Sequence, residues 1–212
     1  MDQARQDAAE ERLRLLAEEV RQCHRCQLRR SAQHVVFGEG NPRAALVFVG
    51  EGPGAEEDRL GRPFVGAAGQ LLDKMLAAMG MTRFEHAYIL NIVKCRPPGN
   101  RIPTEAERLA CRPHLDAQMT LIDPIIVVLL GSTALQTLID PAARISRWRG
   151  RWIVRDNRWF MPTYHPAALL RNPEWKRPVW ADLKQVLDKY RALVDPNHES
   201  PYYPLPPRDI RS

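Results

Sequence analysis

Two hydrophobic rhythms alternate along this chain, a 3.6-residue period with charges between apolar positions and short unbroken apolar runs. Residues 8–22 set Leu13, Leu16, Ala17 and Val20 at helical spacing, so an amphipathic helix is expected to lead straight into Cys23. Residues 44–49 form a strand-favouring run that stops at the glycine-broken GEGPG. A helix is expected over 67–79 with Gly80 as its C-cap, then a second strand over 87–93. Thr104 with Glu107 three residues later has the capping-box pattern, and Pro113 is expected to bend or end the helix that starts there. Residues 125–130 are apolar throughout, as in a strand covered on both faces, and Gly131-Ser132 opens a helix through Ile139. A hairpin is expected from 152–154 and 159–162 around Asp156-Asn157, and a closing helix over about 175–193. Strands alternating with helices indicate an α/β domain with a parallel sheet. A single domain is expected over 1–192, because 212 residues suffice for one core. Five prolines in the last eighteen residues predict a mostly extended tail over 193–212.

Charge adds a partner class. Lys and Arg outnumber Asp and Glu by 31 to 25, a formal charge of +6. The excess is uneven: residues 144–177 carry nine basic residues against Asp156 and Glu174, whereas residues 1–22 carry six acids and four bases. One face can therefore be locally positive, which suits a polyanion and equally suits a solvated basic surface. Neither a bilayer-length apolar stretch nor the pattern of a secretory leader is visible, so a cytoplasmic, nucleoid-associated location and no membrane partner are expected. In that setting the four cysteines are expected to serve metal or redox chemistry rather than disulfides. Their spacing, C-x2-C-x68-C-x15-C over Cys23, Cys26, Cys95 and Cys111, begins with a pair that can turn both sulfurs toward one point. Four thiolates match tetrahedral zinc or a [4Fe-4S] cluster, and spacing leaves the two open.

Polar groups cluster at the expected strand ends, where open parallel sheets bind ligands. Gly50-Glu51-Gly52-Pro53-Gly54 follows the first strand, Asn91 closes the second and Tyr164-His165-Pro166 follows the last. Neither a P-loop nor G-x-G-x-x-G is present, which disfavours an NTPase or a dinucleotide enzyme. A metal-dependent nucleotide hydrolase lacks its carboxylate and histidine cluster. Singly, each strand-end residue is unremarkable: an Asn there is usually a turn former, and a His before Pro is usually a satisfied structural residue.

Together with the cysteines these elements resemble the family 4 uracil-DNA glycosylases, the iron-sulfur, thermophile-like type A group. The resemblance is carried by GEGPGAEEDRLGRPFVGAAGQLLD at 50–73, NIVKCRPPGNRIPTEAE at 91–107, Cys111 and YHPAALLRNP at 164–173, in order over residues 20–192. It implies a three-layer α/β/α domain with a central four-stranded parallel sheet, and a [4Fe-4S] cluster on Cys23, Cys26, Cys95 and Cys111. It implies excision of uracil from single- or double-stranded DNA, leaving an abasic site for base excision repair, by a monomeric enzyme. Such an enzyme must extrude the nucleotide into a pocket. Asn91 is then expected to read uracil N3–H and O4, and Phe64 to stack on the base. His165 is expected to hydrogen-bond O2, where negative charge gathers as the bond breaks, helped by backbone N–H groups of Glu51, Gly52 and Gly54, while Pro53 can donate none. Glu51 stands in a supporting role toward the attacking water; the alternative is catalysis by leaving-group stabilisation alone. Glu57 is expected beside uracil C5, excluding the methyl of thymine. Leu169 matches the apolar wedge that fills the gap left by the extruded base, and Arg171 a phosphate contact. Residues 96–104 contain no His and no basic insertion of the kind that forms a covalent link to the sugar, so turnover is expected. The rival reading is a non-catalytic, cluster- or zinc-containing DNA-binding module, which explains the charge and the cysteines but not Asn91, Phe64 and His165 in their motif contexts.

Overall fold

The computed structural model describes residues 3–205, with side chains from residue 7 onward. The apolar runs become strands β2 (Leu46–Gly50), β3 (Ala87–Asn91), β4 (Ile126–Leu130) and β6 (Arg158–Thr163), joined as a parallel sheet in the order β3-β2-β4-β6. Two short antiparallel strands, β1 (Glu39–Gly40) beside β3 and β5 (Ile153–Arg155) beside β6, extend it to six. The four-stranded expectation therefore holds for the parallel centre; β5 at one edge belongs to the expected hairpin, whereas β1 at the other was not expected. A two-residue strand such as Glu39-Gly40 carries no hydrophobic period from which to read it.

Side-chain alternation along each central strand feeds two cores. Val47, Val49, Tyr88, Leu90, Val127 and Leu129 face one layer, with α1 (Gln3–Arg21), α4 (Glu105–Ile122) and α5 (Ser132–Leu138). Leu46, Phe48, Ile89, Val128 and Met161 face the other, with α3 (Ala67–Ala78), α7 (Pro166–Arg171) and α8 (Lys176–Leu193). The result is the three-layer α/β/α arrangement. Two further short helices, α2 (Ala55–Leu60) and α6 (Ile145–Trp148), lie between these elements in sequence. The β5–β6 hairpin turns on Asp156 and Asn157, with φ of 50° and 59°, the pair of left-handed residues that a type I′ turn needs.

Helix α4 starts as expected: the Thr104 hydroxyl accepts the Glu107 N–H at 3.2 Å, and the Glu107 carboxylate accepts the Thr104 N–H at 2.8 Å. It does not end at Pro113. A proline inside a helix costs about 3 kcal/mol, whereas Leu115, Met119 and Ile122 beyond it are buried, each contributing roughly 1.5–3 kcal/mol. Burial wins, and Pro113 sits exposed on the outer face.

Beyond α8, residues 194–205 form no helix or strand, yet they are packed down rather than free. His198 and Ser200 are buried, hydrogen-bonding the carbonyls of Met79 and Ala78 at 2.9 Å, and the Tyr203 hydroxyl donates to Asp188 at 3.1 Å. The rest of the tail expected over 193–212 lies outside the described residues. No helix among the described residues is long and apolar enough to cross a membrane.

Candidate active site

The carboxyl ends of β2, β3, β4 and β6 open into a cleft of ≈ 780 Å³. The strand order switches direction at β2, the place where doubly wound sheets bind ligands. The cleft gathers residues far apart in sequence: Glu51, Gly52, Pro53 and Gly54 after β2, Glu57 and Phe64, Asn91, then His165 and Arg171.

Glycine makes the convergence possible. A Cβ on Gly50 would lie 2.5 Å from both the Asn91 Oδ1 and the Phe64 ring, so only a bare backbone at the end of β2 lets carboxamide and ring close on one spot. At Gly131, just past β4 with φ of +90°, an added Cβ would likewise lie 3.0 Å from the Cβ of His165.

Asn91 is 2% exposed, and its Oδ1 is buried without a hydrogen-bond partner. Buried acceptors are nearly always satisfied, because leaving one empty costs about 1–3 kcal/mol. Phe64 lies beside it with φ of 50°, a left-handed conformation that a phenylalanine adopts only when its surroundings hold it there. A buried arginine and a half-buried glutamate hold it. The Arg83 guanidinium, 6% exposed, donates to the carbonyls of Pro63 and Phe64 at 2.8 Å and pairs with Asp73 at 2.7 Å. Glu57 accepts the N–H groups of Val65 and Gly66 at 2.9 and 2.8 Å with one oxygen and that of Gly54 at 3.1 Å with the other.

The His165 ring stands 5.4 Å from that of Phe64, centroid to centroid. Its Nδ1 accepts the Ala167 N–H at 3.1 Å, so the proton of the neutral ring sits on Nε2, which is left as a donor. Burial, reinforced by the Arg171 guanidinium and opposed by Glu57, pushes the imidazole down to about 4, which keeps it neutral at physiological pH. Elsewhere in the cleft, the Thr133 hydroxyl of α5 donates a hydrogen bond to the Glu51 carboxylate. Tyr164 and Trp175 stack at 4.4 Å at the cleft wall, and Arg171 adds positive charge, whereas the Arg101 guanidinium is paired with Glu107 at 2.7 Å.

Of the two residues expected to contact DNA, Leu169 is 1% exposed and packs in the core beneath α7, away from the cleft lining, whereas its neighbour Leu170 is 47% exposed. Of the backbone N–H groups expected around O2, that of Gly54 is taken up by Glu57, which leaves those of Glu51 and Gly52.

A second constellation lies beyond β3. Cys23, Cys26, Cys95 and Cys111 are free of disulfides and line one small, apolar cavity with Lys94 and His114. Burial pushes the Cys95 thiol up to about 12 and raises that of Cys111. His114 Nε2 and the Arg25 N–H approach the Cys23 sulfur at 3.2 and 3.5 Å, donors suited to a thiolate. Among the described residues no three His, Cys, Asp or Glu side chains close on a single metal ion, so the thiols ring a space rather than a point.

Comparison with known proteins decides the family. Residues 37–184 match the model of the uracil DNA glycosylase superfamily. The chain belongs to this superfamily. A type-4 uracil-DNA glycosylase of Thermotoga maritima is 45% identical over 182 residues, covering 83% of this chain and 93% of the relative. One from Sulfurisphaera tokodaii is 42% identical, covering 82% and 83%. Similarity to a type-5 uracil-DNA glycosylase of Thermus thermophilus is narrower, 33% identity over 49% of this chain and 53% of the relative. The superfamily's α/β architecture agrees with the layers and sheet described above.

The motif residues were legible in the sequence, but three supports were not singled out: Arg83 behind Phe64, Thr133 on Glu51, and Lys94 behind Asn91. Thr133 could have been found, since it opens a helix at the end of a buried strand. Arg83 and Lys94 carry no local signal.

Proposed function

We propose that this protein hydrolyses the N-glycosidic bond of deoxyuridine in single- or double-stranded DNA, releasing uracil and leaving an abasic site for base excision repair. The observation that carries this reading is the partnerless, buried Asn91 Oδ1 in one cleft with a fixed aromatic ring and, 5.4 Å from that ring, a neutral imidazole whose Nε2–H is left as a donor.

A flipped uracil stacks on Phe64 and presents N3–H to Asn91 Oδ1 and O4 to its amide N–H. Cytosine offers an unprotonated N3 and an amino group at these positions, so it would leave buried polar groups unpaired, at about 1–3 kcal/mol each. As the bond to the sugar breaks, uracil O2 gains negative charge, and the His165 Nε2–H donates to it. A neutral donor suffices, since proton transfer is not required. The backbone N–H groups of Glu51 and Gly52 lie in the same loop as further donors. Glu51, oriented by Thr133, supports the water that attacks the oxocarbenium-like sugar. Glu57 acts by fixing the loop that carries Phe64, because both its oxygens are occupied by backbone N–H groups.

Leu170 takes the wedge role in place of Leu169, and Arg171 a nearby phosphate. The enzyme works as a monomer in the cytoplasm, at the nucleoid. Cys23, Cys26, Cys95 and Cys111 fit a [4Fe-4S] cluster: four thiols, apolar walls and N–H groups at sulfur. When bound, the cluster supplies bonds that tie together three distant segments of the chain.

The test is a uracil-containing oligonucleotide incubated with the protein and then treated with alkali. Strand scission at the uracil position is expected; an intact strand refutes the activity and favours a module that only binds DNA.

A further inference from the structure

Lys94 is a buried charged side chain that the reaction above does not use. It is 1% exposed, and its ammonium donates to the Asn91 backbone carbonyl at 2.9 Å. Among the described residues no carboxylate lies within ion-pair distance of it. The same residue lines the cysteine cavity and directs its backbone N–H at Cys111. Its carbonyl is anchored by the Val36 N–H at 2.7 Å.

A buried ammonium without counter-charge costs several kcal/mol. Nothing on the Asn91 side supplies that charge. On the other side stand four cysteines, and four thiolates around a [4Fe-4S] core carry net negative charge. We propose that Lys94 is a positioning residue whose ammonium takes its counter-charge from the cluster and holds the Asn91 carbonyl, so that the cluster fixes the uracil-reading end of β3. The inference rests on both the excision and the cluster readings above. It gives the cluster a second task besides tying segments together: it makes a cation affordable next to the base-reading residue.

Two substitutions test it. Lys94→Met keeps length and apolar stem while removing charge and donor; Lys94→Gln keeps a donor and removes the charge. Both proteins are purified with their iron and sulfide measured. Two quantities are then read: the cluster's reduction potential by spectroelectrochemistry, and kcat and KM for uracil excision from a single-stranded oligonucleotide. The potential is expected to fall in both variants, because a neighbouring cation favours the more negative, reduced cluster. Excision is expected to fall about 10- to 100-fold in kcat for Lys94→Met, as misplacing a positioned group by about an ångström does, and less for Lys94→Gln. An unchanged potential in both variants overturns the proposal, and so does excision by Lys94→Met at the wild-type rate. Failure of the underlying readings is visible separately in the unsubstituted protein: absence of iron overturns the cluster and this proposal with it, and absence of abasic sites overturns the excision activity.

Discussion

Replacing Asn91 by leucine removes an acceptor that is buried without a partner and puts a side chain of similar size in its place. The sign of the effect should differ between the free protein and the reaction. In the free protein an orphaned acceptor costs about 1–3 kcal/mol. Its removal should therefore raise the melting temperature by a few degrees, at about 2–4 °C per kcal/mol for a chain of this length. In the complex, uracil N3–H and O4 both lose their partners inside a closed pocket. Two such losses at about 1–3 kcal/mol each give about 2–6 kcal/mol, or about 30-fold to 10⁴-fold in excision rate. The assay is single-turnover excision from a uracil-containing oligonucleotide with alkaline strand scission, alongside thermal denaturation and binding to DNA that carries an abasic analogue. Binding to that DNA should be retained. Excision within tenfold of wild type refutes the role of Asn91. A melting temperature lowered by several degrees refutes the premise that its carboxamide is held at a cost.

His165 should leave a mark on the pH dependence of stability. Its pKa is about 4 in the folded protein against an ordinary 6.5, so between those values the unfolded chain binds more protons and stability rises with pH. The contribution is complete above about pH 6.5 and is lost as pH falls toward 4; urea midpoints for His165→Gln should vary less with pH across that window. Glu57→Gln replaces one of two oxygens that face backbone N–H groups by a donor, and is expected to cost about 1–3 kcal/mol of stability and to lower kcat/KM for excision as Phe64 loosens. Leu169→Ala should behave as a core truncation, losing about 2–5 kcal/mol in denaturant titration. Leu170→Ala should leave stability within about 0.5 kcal/mol and weaken excision from duplex more than from single strands. Freshly purified protein should be brown and contain iron and sulfide; colourless protein carrying only zinc contradicts the cluster.

What could be read from the sequence follows from how local each cause is. The strands are announced by runs such as IVVLL at β4, because a strand covered on both faces has no polar position to hide, and the β5–β6 turn by Asp156-Asn157, which tolerate left-handed φ. The residues that line the cleft were visible because they stand at strand tips within recognisable motifs. Glu57 carries a further local signal: it stands three residues after Gly54, the capping-box spacing, which points its carboxylate at backbone N–H groups. Pro113 shows the opposite failure, a strong local rule overridden by burial of residues further along the helix.

The two leucines of α7 mark where sequence reasoning stops. Adjacent residues on a helix differ by about 100° in direction, so Leu169 and Leu170 cannot both face the same way, and nothing in PAALLR says which turns inward. The choice is made by the layer beneath: α7 packs on α3, Leu169 joins the core with Leu72 and Val179, and Leu170 is left outward by elimination. Arg83 is decided in the same non-local way, by carbonyls nineteen and twenty residues before it and a carboxylate ten residues before it. Such residues hold the groups of the cleft without lining it. The cleft's polar groups are therefore carried by its motifs, whereas the rigidity that keeps Phe64 in place beside the unpartnered Asn91 Oδ1 is built from positions that no motif contains.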